Sequence, residues 1–206
     1  MKSLIRLFWF TALSAATVLL AAVPALAAST AITPANLHLM SANAQLNQTL
    51  NTKRVSMGQR VTAHLTMKLR TSNGLVLPRN TQLLGKVSEL QDGHGKPTSI
   101  ALVFSKARLK DGRVIPIKVT LLGAMPPNYN SYLSSADYFP DTSNPVSSDA
   151  AMDQESGVLS HIALHSAVKS PESGIFLSKR RDIRLRAGTQ LRIAIAPLQS
   201  SSTQAG

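Results

Sequence analysis

NGLVLPRNTQLLGKVSELQDGHGKPTSIALVFSKARLKDGRVIPIKVTLL, residues 73–122, is the stretch from which the fold can be read. Short runs of Val, Leu and Ile are broken by Asn73-Gly74, Pro78-Arg79-Asn80, Asp92-Gly93-His94-Gly95 and Asp111-Gly112. This is the punctuation of antiparallel strands joined by tight turns. Leu75–Leu77 reads as a short strand that Pro78 stops, because proline has no N–H to give to a ladder. Thr81–Leu90 reads as a strand in which Gly85 marks a bulge or a close backbone approach. Ser99–Ser105 is apolar without alternation, as in a strand buried on both faces. Asp111-Gly112 fits a two-residue type I′ turn. Beyond it Ile115, Ile117, Val119 and Leu121 share one face, and Pro116 on the other face predicts an edge position or a bulge.

Working outward, Val61–Leu69 alternates strictly, which predicts Val61, Ala63, Leu65, Met67 and Leu69 on a buried face. Ala44–Leu50 is a short first strand. Residues 158–168 admit either a short helix or a strand and turn. Asp182–Arg186 and Leu191–Ala196 alternate on either side of Ala187-Gly188-Thr189, as a terminal hairpin or as two strands around a bulge. Three phrases, MGQRVTAHL (57–65), RNTQLLGKV (79–87) and AGTQLRIAI (187–195), share a small or polar turn that runs through Thr or Gln into a strand. They are too short for a repeat, but they point to one recurring way of opening a strand.

Residues 124–156 break the pattern. They are rich in Pro, Ser, Asn and Asp and hold all three tyrosines of the chain, Tyr129, Tyr132 and Tyr138. So polar a segment buries too little apolar surface to offset its ordering entropy. It reads as a flexible insertion or as a tether that orders on a partner. The expected fold is therefore all-β, a small barrel or sandwich of antiparallel strands. One domain would span 44–197, interrupted by a disordered insertion at 124–156, with a flexible 28–43 before it and a disordered tail at 198–206.

Residues 1–27 read as a secretory signal peptide. Lys2 and Arg6 lead an uncharged apolar run, and Ala25-Leu26-Ala27 is a cleavage pattern. A retained anchor is the alternative, since the run nearly reaches the length that spans a bilayer. The expected location is the periplasm or cell envelope. The chain of 206 residues has no cysteine, so an exported fold must hold by burial alone, and thiol chemistry is excluded. Its formal charge is +12 at pH 7, and +10 once Lys2 and Arg6 are lost. Such an excess favours anionic surfaces: lipid headgroups met peripherally, acidic envelope polymers or extracellular DNA. It also serves simply to keep a protein soluble.

The segments LNQTLNTKRVSMGQRVTAHL (46–65), LPRNTQLLGKVSEL (77–90), SIALVFSKARLKDGRVIPIKVTLL (99–122) and GIFLSKRRDIRLRAGTQLRIAI (174–195) resemble a family of uncharacterised bacterial exported proteins. More distantly, their order is similar to the C-terminal β-barrel domain of TrbI-type scaffolds of conjugation and type IV secretion. That resemblance implies a barrel, a structural or partner-binding role, and strand rather than helix at 158–168. It implies no catalytic motif. The chain departs from those scaffolds in its cleavable-looking signal, its polar insertion, and Asn80 where their Pro-x-Gly turn has glycine.

Candidate chemistry is sparse. Lys179, Arg180, Arg181, Arg184, Arg186 and Arg192 form the densest charge. Arg184, Arg186 and Arg192 would share one exposed face on alternating strands, able to bind phosphate or carboxylate groups of a polymer or partner, or merely solvated. Nucleic acid is disfavoured, because few aromatics accompany these charges. His161 and His165 would lie on one face of a helix as two metal ligands, short of the four a closed site needs. His94 and Asp92 sit together in a glycine loop, but no positioned nucleophile, G-x-S-x-G elbow or phosphate loop accompanies them. No cofactor is called for. The sequence points to a non-enzymatic envelope protein with a structural or partner-binding role, or alternatively to a binding module for an anionic ligand.

Overall fold

The computed structural model describes residues 37–71, 74–91, 97–127, 151–154, 159–179 and 182–198. Among these, every regular element is a strand: β1 (Met40–Leu46), β2 (Leu50–Asn51), β3 (Arg60–Leu65), β4 (Leu69–Arg70), β5 (Val76–Leu77), β6 (Gln82–Gln91), β7 (Thr98–Arg108), β8 (Val114–Met125), β9 (Ala151–Gln154), β10 (Ile162–Ala167), β11 (Gly174–Ser178), β12 (Arg184–Leu185) and β13 (Gln190–Pro197).

Six of them close into a barrel. The order is β6-β3-β1-β13-β8-β7, every pair antiparallel, and β7 pairs back onto β6. Closure removes most of the open sheet edge, and the stretch where β7 and β8 part is the exception. Period two makes the interior. Ala42, Ala44 and Leu46 of β1, Val61, Ala63 and Leu65 of β3, and Leu191, Ile193 and Ile195 of β13 point into one core with Phe104, Val119, Leu121 and Phe176. On the outside of the β13 wall a second, smaller cluster gathers Leu39, Val168, Ala194 and Ala196.

β7 and β8 part early. They pair only over Lys106–Arg108 and Val114–Pro116. The other half of the same β7 edge, Thr98–Leu102, pairs with β11, and β10 and β9 extend the sheet beyond it. Ser99–Leu102 is buried throughout, as a run without alternation predicts, but the burial does not reach Ser105, which is exposed, and Val103 is half-buried. Pro116 is the last residue of the β7–β8 ladder, so its missing N–H falls where the strands diverge and not at a sheet edge. The gap is bridged by Ser173. Its N–H donates to Leu102 O at 2.8 Å, its carbonyl accepts from Leu121 N at 2.7 Å, and its hydroxyl accepts from Phe104 N at 2.9 Å.

The turns answer the three shared phrases. Ser56-Met57-Gly58-Gln59, Pro78-Arg79-Asn80-Thr81 and Arg186-Ala187-Gly188-Thr189 each close with a bond from the fourth N–H to the first carbonyl, at 3.0, 3.1 and 3.0 Å. In each the third residue has positive φ: 82° at Gly58, 68° at Asn80 and 85° at Gly188. Thr81 and Thr189 also donate their hydroxyls back to the first carbonyl, at 2.7 Å each. One turn thus opens β3, β6 and β13.

Several expectations are corrected. The first strand begins at Met40 and not Ala44, because β13 pairs with it from Ile195 onward and its weak strand formers Asn43 and Gln45 stand on the outer face. The alternation at 61–69 stops at Leu65. Thr66 N–H bonds to Asn43 O, the chain leaves the wall, and Met67 is 60% exposed instead of buried. Asp111-Gly112 is not a type I′ turn. Only Gly112 has positive φ, and Leu109 N–H bonds to Arg113 O across a three-residue loop with glycine in the left-handed position. β12 and β13 are not a hairpin: β12 pairs with β2, and β13 lies between β1 and β8. Residues 162–167 form a strand, not a helix. Ala124 and Met125 belong to β8, and Ala151–Gln154 to β9, so strand structure reaches into the 124–156 segment from both sides. The expectations for 1–27, for most of 28–43 and 198–206, and for residues 128–150 fall outside the described residues.

Candidate anion-binding face

The predicted basic cluster is dispersed. Lys179 is exposed just past β11, beside His161, His165, Ala163 and Leu177 in a groove of about 490 Å³. Arg184 and Arg186 are exposed on the small β2–β12 ribbon. Arg192 sits elsewhere, in the barrel wall opposite Asn43 and Gly123, and is half-buried. Burial pushes its guanidinium below the usual arginine range. The three arginines therefore do not share one face. Arg180 and Arg181, and the pair Asp92 and His94, lie outside the described residues.

The histidine pair is not a helical pair. His161 occupies a turn with φ of 64°, and His165 lies on β10. Both line the groove with Lys179. No group of three or more candidate metal ligands occurs among the described residues.

A different basic face is assembled by strand register. On the outside of β3, β6 and β7, Arg60 stands directly opposite Lys86, Thr62 opposite Leu84, and His64 opposite Gln82. Across the next ladder Leu84 faces Lys106 and Gln82 faces Arg108. Lys106, Arg108 and Lys110 are exposed, while Ala107 and Leu109 between them are buried, so period two turns all three cations outward. Arg60, Thr62, Gln82, Leu84, Lys86, Lys106 and Arg108 line one groove of about 490 Å³. His64, Gln82, Arg108 and Lys110 line an adjoining one of about 440 Å³, together with Asn47 and Asn80.

Every charged side chain lining the two grooves is cationic, while Glu89 is exposed farther along β6 and outside both linings. Among the described residues, the ion pairs are Lys53–Asp182 at 3.7 Å and Arg113–Asp111 at 2.7 Å, and neither involves Arg60, Lys86, Lys106, Arg108 or Lys110. Two like charges 6 Å apart repel by about 0.7 kcal/mol even in water. Arg60 and Lys86, directly opposed, are thus an unfavourable cross-strand pair. The polar rim is better satisfied. His64 Nδ1 and Asn47 Oδ1 are 2.5 Å apart, and Asn47 Nδ2 donates to Thr62 Oγ1 at 3.2 Å. Asp111, at the hairpin tip beyond Lys110, is held below the usual carboxylate range by the Arg113 N–H and guanidinium. Its charge is matched locally and does not neutralise the face.

This face escaped sequence reading because no run announces it. Arg60, Lys86, Lys106 and Arg108 come from three strands, and only Lys106-x-Arg108-x-Lys110 carries a period-two hint. No protein-family model matches the chain, and a search of curated proteins finds no match.

Proposed function

We propose that this is a non-enzymatic exported envelope protein whose barrel binds an anionic ligand through the outer face of β3, β6 and β7. The observation that carries the reading is the set of five outward cations with no carboxylate partner among the described residues. An uncompensated row of this kind is unfavourable in the free protein and is relieved by a bound anion. The exported location rests on the signal-like residues 1–27. The test is binding of labelled polyphosphate to the mature protein at about 50 and about 200 mM salt; with five charge contacts affinity falls about 100-fold or more between them. The triple variant K86Q/K106Q/R108Q loses the binding. Salt-insensitive binding, or binding that the triple variant retains, rules the face out.

A second reading is a structural or partner-binding role like that of a TrbI-type barrel. One observation favours it: among the described residues β9 ends the sheet order, with a hydrogen-bonded neighbour on one side only. A partner could add a strand there. Recovery of a stoichiometric protein from envelope extract at high salt, lost on deleting residues 128–150, would favour this reading over the first.

A further inference from the structure

We infer that the ligand of the β3–β6–β7 face is a linear polyanion lying along a single row of cations, recognised by charge and not by bases. The inference rests on the anion-binding reading above and adds the shape and class of the ligand.

The row follows from register. Arg60 and Lys86 are cross-strand partners, so their Cβ atoms are roughly 5 Å apart. Lys106 pairs with Leu84, one strand over and two residues along from Lys86, a diagonal of roughly 7–8 Å. Arg108 follows Lys106 by two residues, roughly 7 Å along β7. Followed from cation to cation, the path from Arg60 to Arg108 is roughly 20 Å long, crossing two strands and then running along the third. Lys110 continues it into the adjoining groove, and Gln82 and Arg108 line both grooves, so the trough is continuous.

A lone phosphate or carboxylate can meet two neighbouring cations of this row and leaves the others unpaired. Only a ligand with several anionic groups along its length relieves all of them, and linking those groups makes each later contact intramolecular. The floor of the trough is Thr62, Gln82 and Leu84, with no Phe, Tyr or Trp among the lining residues and His64 the one ring beside them. A run of successive bases would lack a row of rings to stack on, which disfavours nucleic acid. The row also winds around a barrel wall and lies in a groove, a shape suited to a chain and not to a flat bilayer.

The test compares tripolyphosphate with long-chain polyphosphate at equal total phosphate, beside vesicles of anionic phospholipid and single-stranded DNA of equal charge. The expected result is binding of the long chain at least about 100-fold tighter than tripolyphosphate. Its log K against log salt slope should be about −3 or steeper, falling by about 1 in each of K86Q, K106Q and R108Q. Equal affinity for tripolyphosphate, or tighter binding to the vesicles or the DNA, overturns the linear-chain inference while leaving an anion face in place. Binding to none of these probes, or a slope that falls with R184Q and not with K106Q, overturns the anion face itself.

Discussion

At Gly85 the β6 backbone has no room for a methyl group. A Cβ there would stand 2.3 Å from Val103 O and 2.7 Å from Phe104 Cδ1. The cause is a bulge, since Leu84 pairs with Lys106 but Gly85 with Phe104, leaving Ser105 over on β7. G85A should cost about 1–3 kcal/mol by overpacking, read as a lower urea midpoint. A glycine inside a strand announced this much in the sequence. Asn80 is a different case. Its φ of 68° matches the glycines at the same place in the two sister turns. Asn tolerates that region better than most residues, so N80A should lose about 1 kcal/mol and N80G should not, as thermal melts would show. The spacing of residues 78–81 hinted at the turn, but the backbone angle is visible only in the fold.

Among the elements, the β10–β11 hairpin decides how the barrel wall is completed where β7 and β8 separate. Ser173 does the joining, and S173A would leave the buried Phe104 N–H without its acceptor. The expected loss is about 1–3 kcal/mol, with faster hydrogen exchange at the Phe104 amide. In the hairpin loop, Ser170 Oγ donates to Glu172 at 2.7 Å and Lys118 Nζ donates to Ser170 O. The Ser170 bond above all, with Lys118 nearby, holds the Glu172 carboxyl below its ordinary value of 4.5. Burial in turn holds Lys118 below the usual lysine range. A lowered carboxyl contributes stability above its unfolded value and loses it as pH falls through the folded one. Below pH 4.5, therefore, the melting temperature of the native protein should fall more steeply than that of E172Q. No sequence pattern foretold this hairpin as a wedge. Its strand character at 162–167 was one of two open readings, and its partner residues on β7 lie more than seventy positions earlier, Gly174 pairing with Leu102.

For the whole molecule, closure of the barrel brings Arg60, Lys86, Lys106 and Arg108 onto one wall. Directly opposed like charges on a sheet cost roughly 0.2–1 kcal/mol. K86Q should therefore raise the melting temperature slightly in low salt, and the difference should shrink in high salt. Long-chain polyphosphate should raise the melting temperature of the native protein more than that of K86Q. An unchanged melting temperature in both comparisons would mean that the side chains splay apart and carry no stored repulsion.

The all-β class, most strand positions between 60 and 122, the alternation of β13 and the strand-opening turns were legible in the sequence, because period two and turn chemistry are local properties. Pairing is not local. That β12 joins β2, that β11 shares an edge of β7 with β8, and that a barrel forms and not a sandwich all follow from contacts between residues far apart in the chain. The candidate site belongs to the same class. Of the densest run of charge, the described residues Lys179, Arg184, Arg186 and Arg192 are scattered by the fold over a groove, a ribbon and the barrel wall. The face that concentrates charge draws single cations from β3 and β6 and the alternate residues of β7, and only tertiary register, fixed by which side chains fill the core, could bring them into one row.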